Sequence, residues 1–96
     1  MKQQTVCDEN KRIIIREETA ELEGYHLTYV LCELLLDSKN EEEYSITVTI
    51  EKDSYSDTMT AHDVTINRKR AVEIFELIWR NRVTPCTLFE ILSDVL

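Results

Sequence analysis

The stretch Tyr25–Asp37, YHLTYVLCELLLD, decides the fold, because it reads two ways. As a helix, Leu22, Tyr25, Tyr29, Cys32 and Leu36 recur at three- and four-residue steps. As a strand, Tyr25, Leu27, Tyr29, Leu31, Glu33 and Leu35 alternate with His26, Thr28, Val30, Cys32, Leu34 and Leu36. Gly24 would weaken a helix at its start, while Tyr, Thr and Val in the first half favour extended backbone. The chain that follows is strand, and a hairpin is the simplest neighbour for it. The strand reading is therefore taken. Apolar on both faces, it belongs at the centre of a sheet.

Toward the C-terminus, SKNEEE (38–43) is a polar hairpin loop. YSITVTIEKD then alternates cleanly, with Tyr44, Ile46, Val48 and Ile50 on one face and Ser45, Thr47, Thr49 and Glu51 on the other. Such a strand has one buried and one wet face. KDSYSD turns the chain again, and TMTAHDVTI makes a fourth strand whose alternation slips near Ala61–Asp63, as a β-bulge would make it. From Asn67, a plausible N-cap, the period changes to 3.6. Ala71, Ile74, Phe75, Ile78 and Trp79 form one stripe, widened by Val72 and Leu77. A last helix follows in NRVTPCTLFEILSDVL. Thr84 is its N-cap, Pro85 its first residue, and Val83 and Leu88 are spaced as a hydrophobic staple. Leu88, Phe89, Leu92, Val95 and Leu96 make its apolar face.

Toward the N-terminus, Gly24 marks a turn within AELEG, because glycine tolerates positive φ. RIIIREET, Arg12 to about Glu18, is a β-branched run that reads as the first strand. Residues 1–11 are polar and expected to be frayed, leaving residues 12–96 as a single domain. The expected fold is α+β: a four-stranded antiparallel β-meander followed by two C-terminal helices packed on one sheet face. This is a two-layer sandwich of order β-β-β-β-α-α.

Ninety-six residues with one Gly and one Pro leave no room for a flexible linker or a glycine-rich phosphate loop. The formal charge of −8 disfavours nucleic acid and anionic membranes as partners. That charge is uneven. Residues 1–63 hold 15 acids and six bases, residues 64–96 four acids and five bases. Three cysteines, Cys7, Cys32 and Cys86, with no CxxC spacing, suit a reducing cytoplasm better than a disulfide framework. The start MKQQTVCDENKR lacks the apolar segment of a signal peptide, and YVLCELLL is too short to span a bilayer.

Little in the chain looks catalytic. Cys86 falls in the first turn of the last helix, where the dipole favours a thiolate, but a nucleophile also needs a base. His26 and His62 are the only histidines, and His62-Asp63 could form an oriented base or half of a metal site. No metal-ligand spacing supports this, so no cofactor or metal is expected. The carboxylates Glu17, Glu18, Glu21, Glu23 and Glu41–Glu43 read as solvated faces, with mimicry of nucleic acid a weaker alternative. More unusual are Arg68, Lys69, Arg70, Arg80 and Arg82, five bases at the two ends of one helix. Arg68–Arg70 stand at its N-terminus, where the dipole opposes them. Together with Trp79 they form a candidate interaction surface, unless they pair within the molecule.

The stretches YSITVTIE and AHDVTINRKRAVEIFELIWRNRVTPCTLFEILSDVL resemble a family of small bacterial (Firmicute-type) proteins catalogued as a domain of unknown function. The resemblance rests on Tyr44-x-Ile46, Asp63-Val64-Thr65 and Asn81-x-Val83-x-Pro85, within residues 25–96. It implies the fold and no catalytic residues. The functional expectation is a cytoplasmic, non-enzymatic interaction or regulatory module that forms a homo-oligomer, such as a dimer, or binds another protein. The alternative is a small enzyme or ligand- or metal-binding protein using Cys86 or His62 with Asp63.

Overall fold

The stretch that reads two ways is a strand in the computed structural model, which describes residues 10–36 and 41–95. β1 (Asn10–Leu22), β2 (Tyr25–Leu36), β3 (Glu41–Lys52) and β4 (Tyr55–Thr65) form one antiparallel sheet in the order β1-β2-β3-β4. Then come α1 (Arg68–Arg80), a 3-10 turn (Pro85–Thr87) and α2 (Leu88–Val95). The α+β meander expected from the sequence is the fold. The molecule is a slab of 43 × 32 × 18 Å, its short dimension matching one sheet with one helical layer on it.

β2 is central, as its two apolar faces require. Leu27, Tyr29 and Leu31 are fully buried beneath the helices, together with Tyr44, Ile46 and Val48 of β3. From the helical layer they meet Ala71, Ile74, Phe75 and Ile78 of α1, then Val83, Leu88 and Leu92. Among the described residues, no layer lies over the opposite sheet face. There Thr28, Val30 and Leu34 are half-buried, and Cys32 is nearly enclosed by its neighbours.

β1 is longer than RIIIREET suggests. It begins at Asn10 and continues through Ala20 to Leu22, so the turn is only Glu23-Gly24. Both turn residues have positive φ, 52° and 88°, as a two-residue hairpin of the I′ kind demands. Residues 1–9 of the expected frayed terminus lie outside the described residues, and Asn10 and Lys11 already belong to β1. Residues 37–40 of the expected hairpin loop are likewise outside them, while Glu41–Glu43 belong to β3.

Two irregularities bend the sheet edges. In β1, Ile14 pairs with Cys32 but Arg16 pairs with Leu31, so Ile15 is an inserted residue. The bulge turns Arg16 toward α1. Its guanidinium donates to Glu18 at 3.0 Å and to Glu76 at 3.2 Å, and lies 5.5 Å and 5.9 Å from the ring centres of Phe75 and Trp79. Hydrogen bonds to Glu76 and Glu18 hold the arginine pKa above its ordinary value. In β4, Ile46 pairs with Ala61 and Tyr44 with Thr65, leaving His62–Val64 opposite Ser45. This is the bulge expected near Ala61–Asp63. It puts Asp63 at φ 54° and turns Val64 into the core.

Asn67 caps α1, its Oδ1 accepting from the Arg70 N–H at 3.0 Å. The α1 stripe is narrower than the sequence pattern, because Leu77 is 39% exposed. In the last segment Pro85 opens a 3-10 turn, from which α2 continues. The Thr84 N–H donates to Thr87 Oγ1 at 3.3 Å, and the Thr87 N–H donates back to the Thr84 carbonyl at 3.1 Å. Val83 and Leu88 are both in the core. Phe89 is not: placed one residue after Leu88, it is rotated about 100° away from the Leu88–Leu92 stripe and is exposed. Leu96 is outside the described residues.

A buried hydrogen bond joins the two layers. The Tyr29 hydroxyl donates to the Val83 carbonyl at 3.0 Å. Burial pushes its pKa up to about 12. Tyr29→Phe orphans a buried carbonyl and is expected to cost about 1–3 kcal/mol in urea unfolding. An unfolded tyrosine ionises near pH 10, whereas the folded one resists until about pH 12. The contribution of Tyr29 is therefore full below pH 10 and is lost as pH rises toward 12. The stability difference between wild type and Tyr29→Phe should shrink over that window.

Candidate interaction site

The basic residues at the ends of α1 look surplus in the sequence; the structure gives most of them partners inside the molecule. Arg68 lies 3.7 Å from Glu33, a β2 carboxylate only 7% exposed on the helix-facing side. Arg70 pairs with Glu73 at 3.5 Å and donates to the Val95 carbonyl at 2.7 Å. That bond accounts for a cation at the wrong end of α1. α2 runs back along α1, so the N-terminus of one meets the C-terminus of the other, and Arg70 serves the negative end of the α2 dipole. Arg80 pairs with Glu76 at 3.7 Å. Lys69 is exposed.

At the other end of α1, Trp79 and Arg82 reach the outer edge of β1. The two-residue turn makes Leu22 and Tyr25 a hydrogen-bonded pair. By alternation, the backbone groups of Glu17, Thr19 and Glu21 point outward from β1. Trp79 Nε1 donates to the Thr19 carbonyl at 3.2 Å, and Arg82 Nε to the Glu21 carbonyl at 3.1 Å. Arg82 reaches this position from a left-handed backbone, φ 50°, immediately after the helix ends. Of the candidate surface of Arg68, Lys69, Arg70, Trp79, Arg80 and Arg82, Arg70 thus fastens the two helices to each other, Trp79 and Arg82 fasten the helical layer to β1, Arg68 faces β2, and Arg80 pairs within its own helix. The sequence separations of 60 and 61 residues explain why spacing alone could not reveal those bonds.

The β4 edge is different. The same alternation, starting from the Lys52–Tyr55 pair, points the backbone of Ser56, Thr58 and Thr60 outward. No helix among the described residues covers it, and residues 55–59 are exposed. The Asp57 carboxylate accepts from the outward Thr58 N–H at 3.0 Å. On the open face, Thr47–Thr60 and Thr49–Thr58 form hydroxyl pairs at 2.9 and 3.1 Å. One registered row runs Thr19, Thr28, Thr49 and Thr58 across all four strands.

Among the described residues no ion pair or hydrogen bond joins the catalytic candidates to one another. Cys86 is exposed at the 3-10 turn, with the Thr84 hydroxyl 3.5 Å from its sulfur. His26 bonds Glu21 at 2.7 Å beside the first hairpin turn, and His62 is exposed in the β4 bulge. Among the described residues no hydrogen bond joins either histidine to Cys86. Burial raises the Cys32 thiol pKa, which favours the protonated form. No group of three or more His, Cys, Asp or Glu among the described residues could hold a metal ion. No helix among them is long and apolar enough to cross a membrane.

The helical layer has a feature that the sequence pattern does not signal. Between the C-terminal half of α1, the linker and α2 runs a groove of about 570 Å³. Leu77, Val83, Ile91 and Val95 supply its apolar lining, with Glu90 and Asp94 among its polar groups.

Comparison with curated proteins and with solved structures finds no match. A family model does match, over residues 9–96, from before the first strand to the end of the chain. The match includes β1 as well as the two helices, and the chain belongs to the family of unknown function DUF6514.

Proposed function

We propose that this protein is a non-enzymatic interaction module of the cytoplasm that self-associates by pairing β4 with β4 of a second copy. The observation that carries this reading is the contrast between the two sheet edges: Trp79 and Arg82 occupy the Thr19 and Glu21 carbonyls of β1, while among the described residues nothing in the helical layer bonds to the exposed β4 edge. An exposed strand edge is a template for another strand unless charge, proline or a bulge blocks it. Over Tyr55–Thr60, YSDTMT, the only charge is Asp57, and the bulge begins beyond Ala61.

An antiparallel two-fold pairing centred on Thr58 has no like charges opposed. Thr58 faces Thr58 of the second copy, Ser56 faces Thr60, and Asp57 faces Met59. The local Asp57–Thr58 bond is exchanged for interstrand bonds, and a continuous eight-stranded sheet results. The free thiols of Cys32 and Cys86 support the cytoplasmic setting.

Light scattering behind size exclusion should give twice the 11.3 kDa chain mass at high protein concentration. Thr58→Pro removes an N–H that points away from β3, so the sheet keeps its own ladder while the edge loses its central donor. That variant is expected to fold and to run as a monomer. A wild-type protein that remains monomeric at about millimolar concentration, where even weak pairing is populated, would sink this reading.

A further inference from the structure

The groove between α1 and α2 lies on the helical layer, apart from the β4 edge, and its features call for a different kind of partner. Leu77 of α1, 39% exposed, faces it together with half-buried Ile91 and Val95 of α2. Its volume of about 570 Å³ lies within the usual 300–1,000 Å³ range of ligand-binding clefts. Glu90 and Asp94 stand four residues apart on α2, hence one above the other along the groove. Neither makes an ion pair among the described residues. Asp94 also occupies the last turn of α2, where the helix dipole opposes a carboxylate. Arg82 is at the linker end of the groove, its Nε already donating to Glu21.

We infer that this groove binds an amphipathic, basic helix of a partner protein, apolar face down on Leu77, Ile91 and Val95, with lysines or arginines meeting Glu90 and Asp94. Charge sets the sign of the partner: two carboxylates without ion-pair partners line the groove of a chain whose formal charge is −8. Backbone chemistry sets its conformation. Its two sides are α1 and α2, whose main-chain groups are bonded within the helices, and at the linker end the Thr84 and Thr87 hydroxyls bond each other at 3.0 Å. A bound segment must therefore satisfy its own backbone, as a helix does, and offer side chains at i, i+3, i+4 and i+7. A strand would leave its N–H and C=O groups unpaired against the apolar lining.

The test uses the full chain and labelled leucine–lysine and leucine–glutamate amphipathic helices of about five turns, read by fluorescence anisotropy. The leucine–lysine helix should bind saturably and the leucine–glutamate helix should not. The double variant Glu90→Gln/Asp94→Gln should weaken binding about tenfold, two exposed charge pairs of ordinary strength. Leu77→Ser should weaken it too, whereas Glu17→Gln/Glu51→Gln, the same charge change on the open sheet face, should not. Equal weakening by the two double variants would mean attraction to bulk acidity and would overturn the proposal. So would an absence of saturable binding up to about 1 mM peptide. Thr58→Pro should bind the peptide like wild type, so this result stands or falls separately from self-association.

Discussion

A buried hydrogen bond, from the Tyr29 hydroxyl to the Val83 carbonyl, sets how the helical layer sits on the sheet. Tyr29 is at the middle of the central strand and is fully buried, so its hydroxyl must find an acceptor within the core. Val83 supplies one only if the chain leaves α1 by a sharp reversal. The left-handed Arg82 makes that reversal, and the Val83 N–H donates back to Ile78 at 3.1 Å. With Val83 held, Pro85 and Leu88 enter the core behind it, and α2 must run back along α1. The same reversal brings Arg82 and Trp79 over the β1 edge. Two layers, an antiparallel helix pair and the bonds to the β1 edge follow from one constraint.

The electrostatics of the helical layer make sense only as a property of the pair of helices. α1 has no acid in its first turn and carries three bases there or beside it, which an isolated helix would not tolerate well. α2 has no base in its last turn. Each lacks what the other provides, and Arg70 makes the connection at Val95. Glu33, beneath the same end of α1, answers Arg68 from the sheet. The charge excess of residues 64–96 is thus largely neutralised by carboxylates and carbonyls already in the domain.

Wherever a residue's neighbours are close in the chain, the sequence is a good guide to this structure. The alternation of Tyr44–Ile50, the 3.6 period after Asn67, the Asn67 cap and the Thr84-Pro85 start all depend on local backbone geometry, and all are present. The slip at Ala61–Asp63 is visible for the same reason. Tyr25–Leu36 is ambiguous because apolar Val30, Cys32 and Leu34 on the open face hide its period of two. The bulge at Ile15 has no signal, because an isoleucine run looks the same with or without an inserted residue. Phe89 is misassigned because it lies one residue, about 100°, from the narrow Leu88–Leu92 stripe that α2 buries. The basic residues were recognisable as unusual, but their partners lie up to 61 residues away. The groove was not recognisable at all, since Glu90 and Asp94 look like any solvated helix acids until Leu77 is placed beside them.

The strand order β1-β2-β3-β4 has a consequence for how the chain reaches this structure. Every strand pairs with its neighbour in sequence, so no sheet contact needs the closing of a long loop. Sheets of this kind have low contact order for their β content, and such chains fold faster than Greek-key sandwiches of similar size. Each two-residue turn, at Glu23-Gly24 and at Asp53-Ser54, can start a hairpin within microseconds. The costly step comes last. A finished meander still exposes Leu27, Tyr29, Ile46 and Val48 along one side, and only arrival of the final third of the chain removes them from water. On a ribosome, where the C-terminus emerges last, the sheet would wait with that face bare.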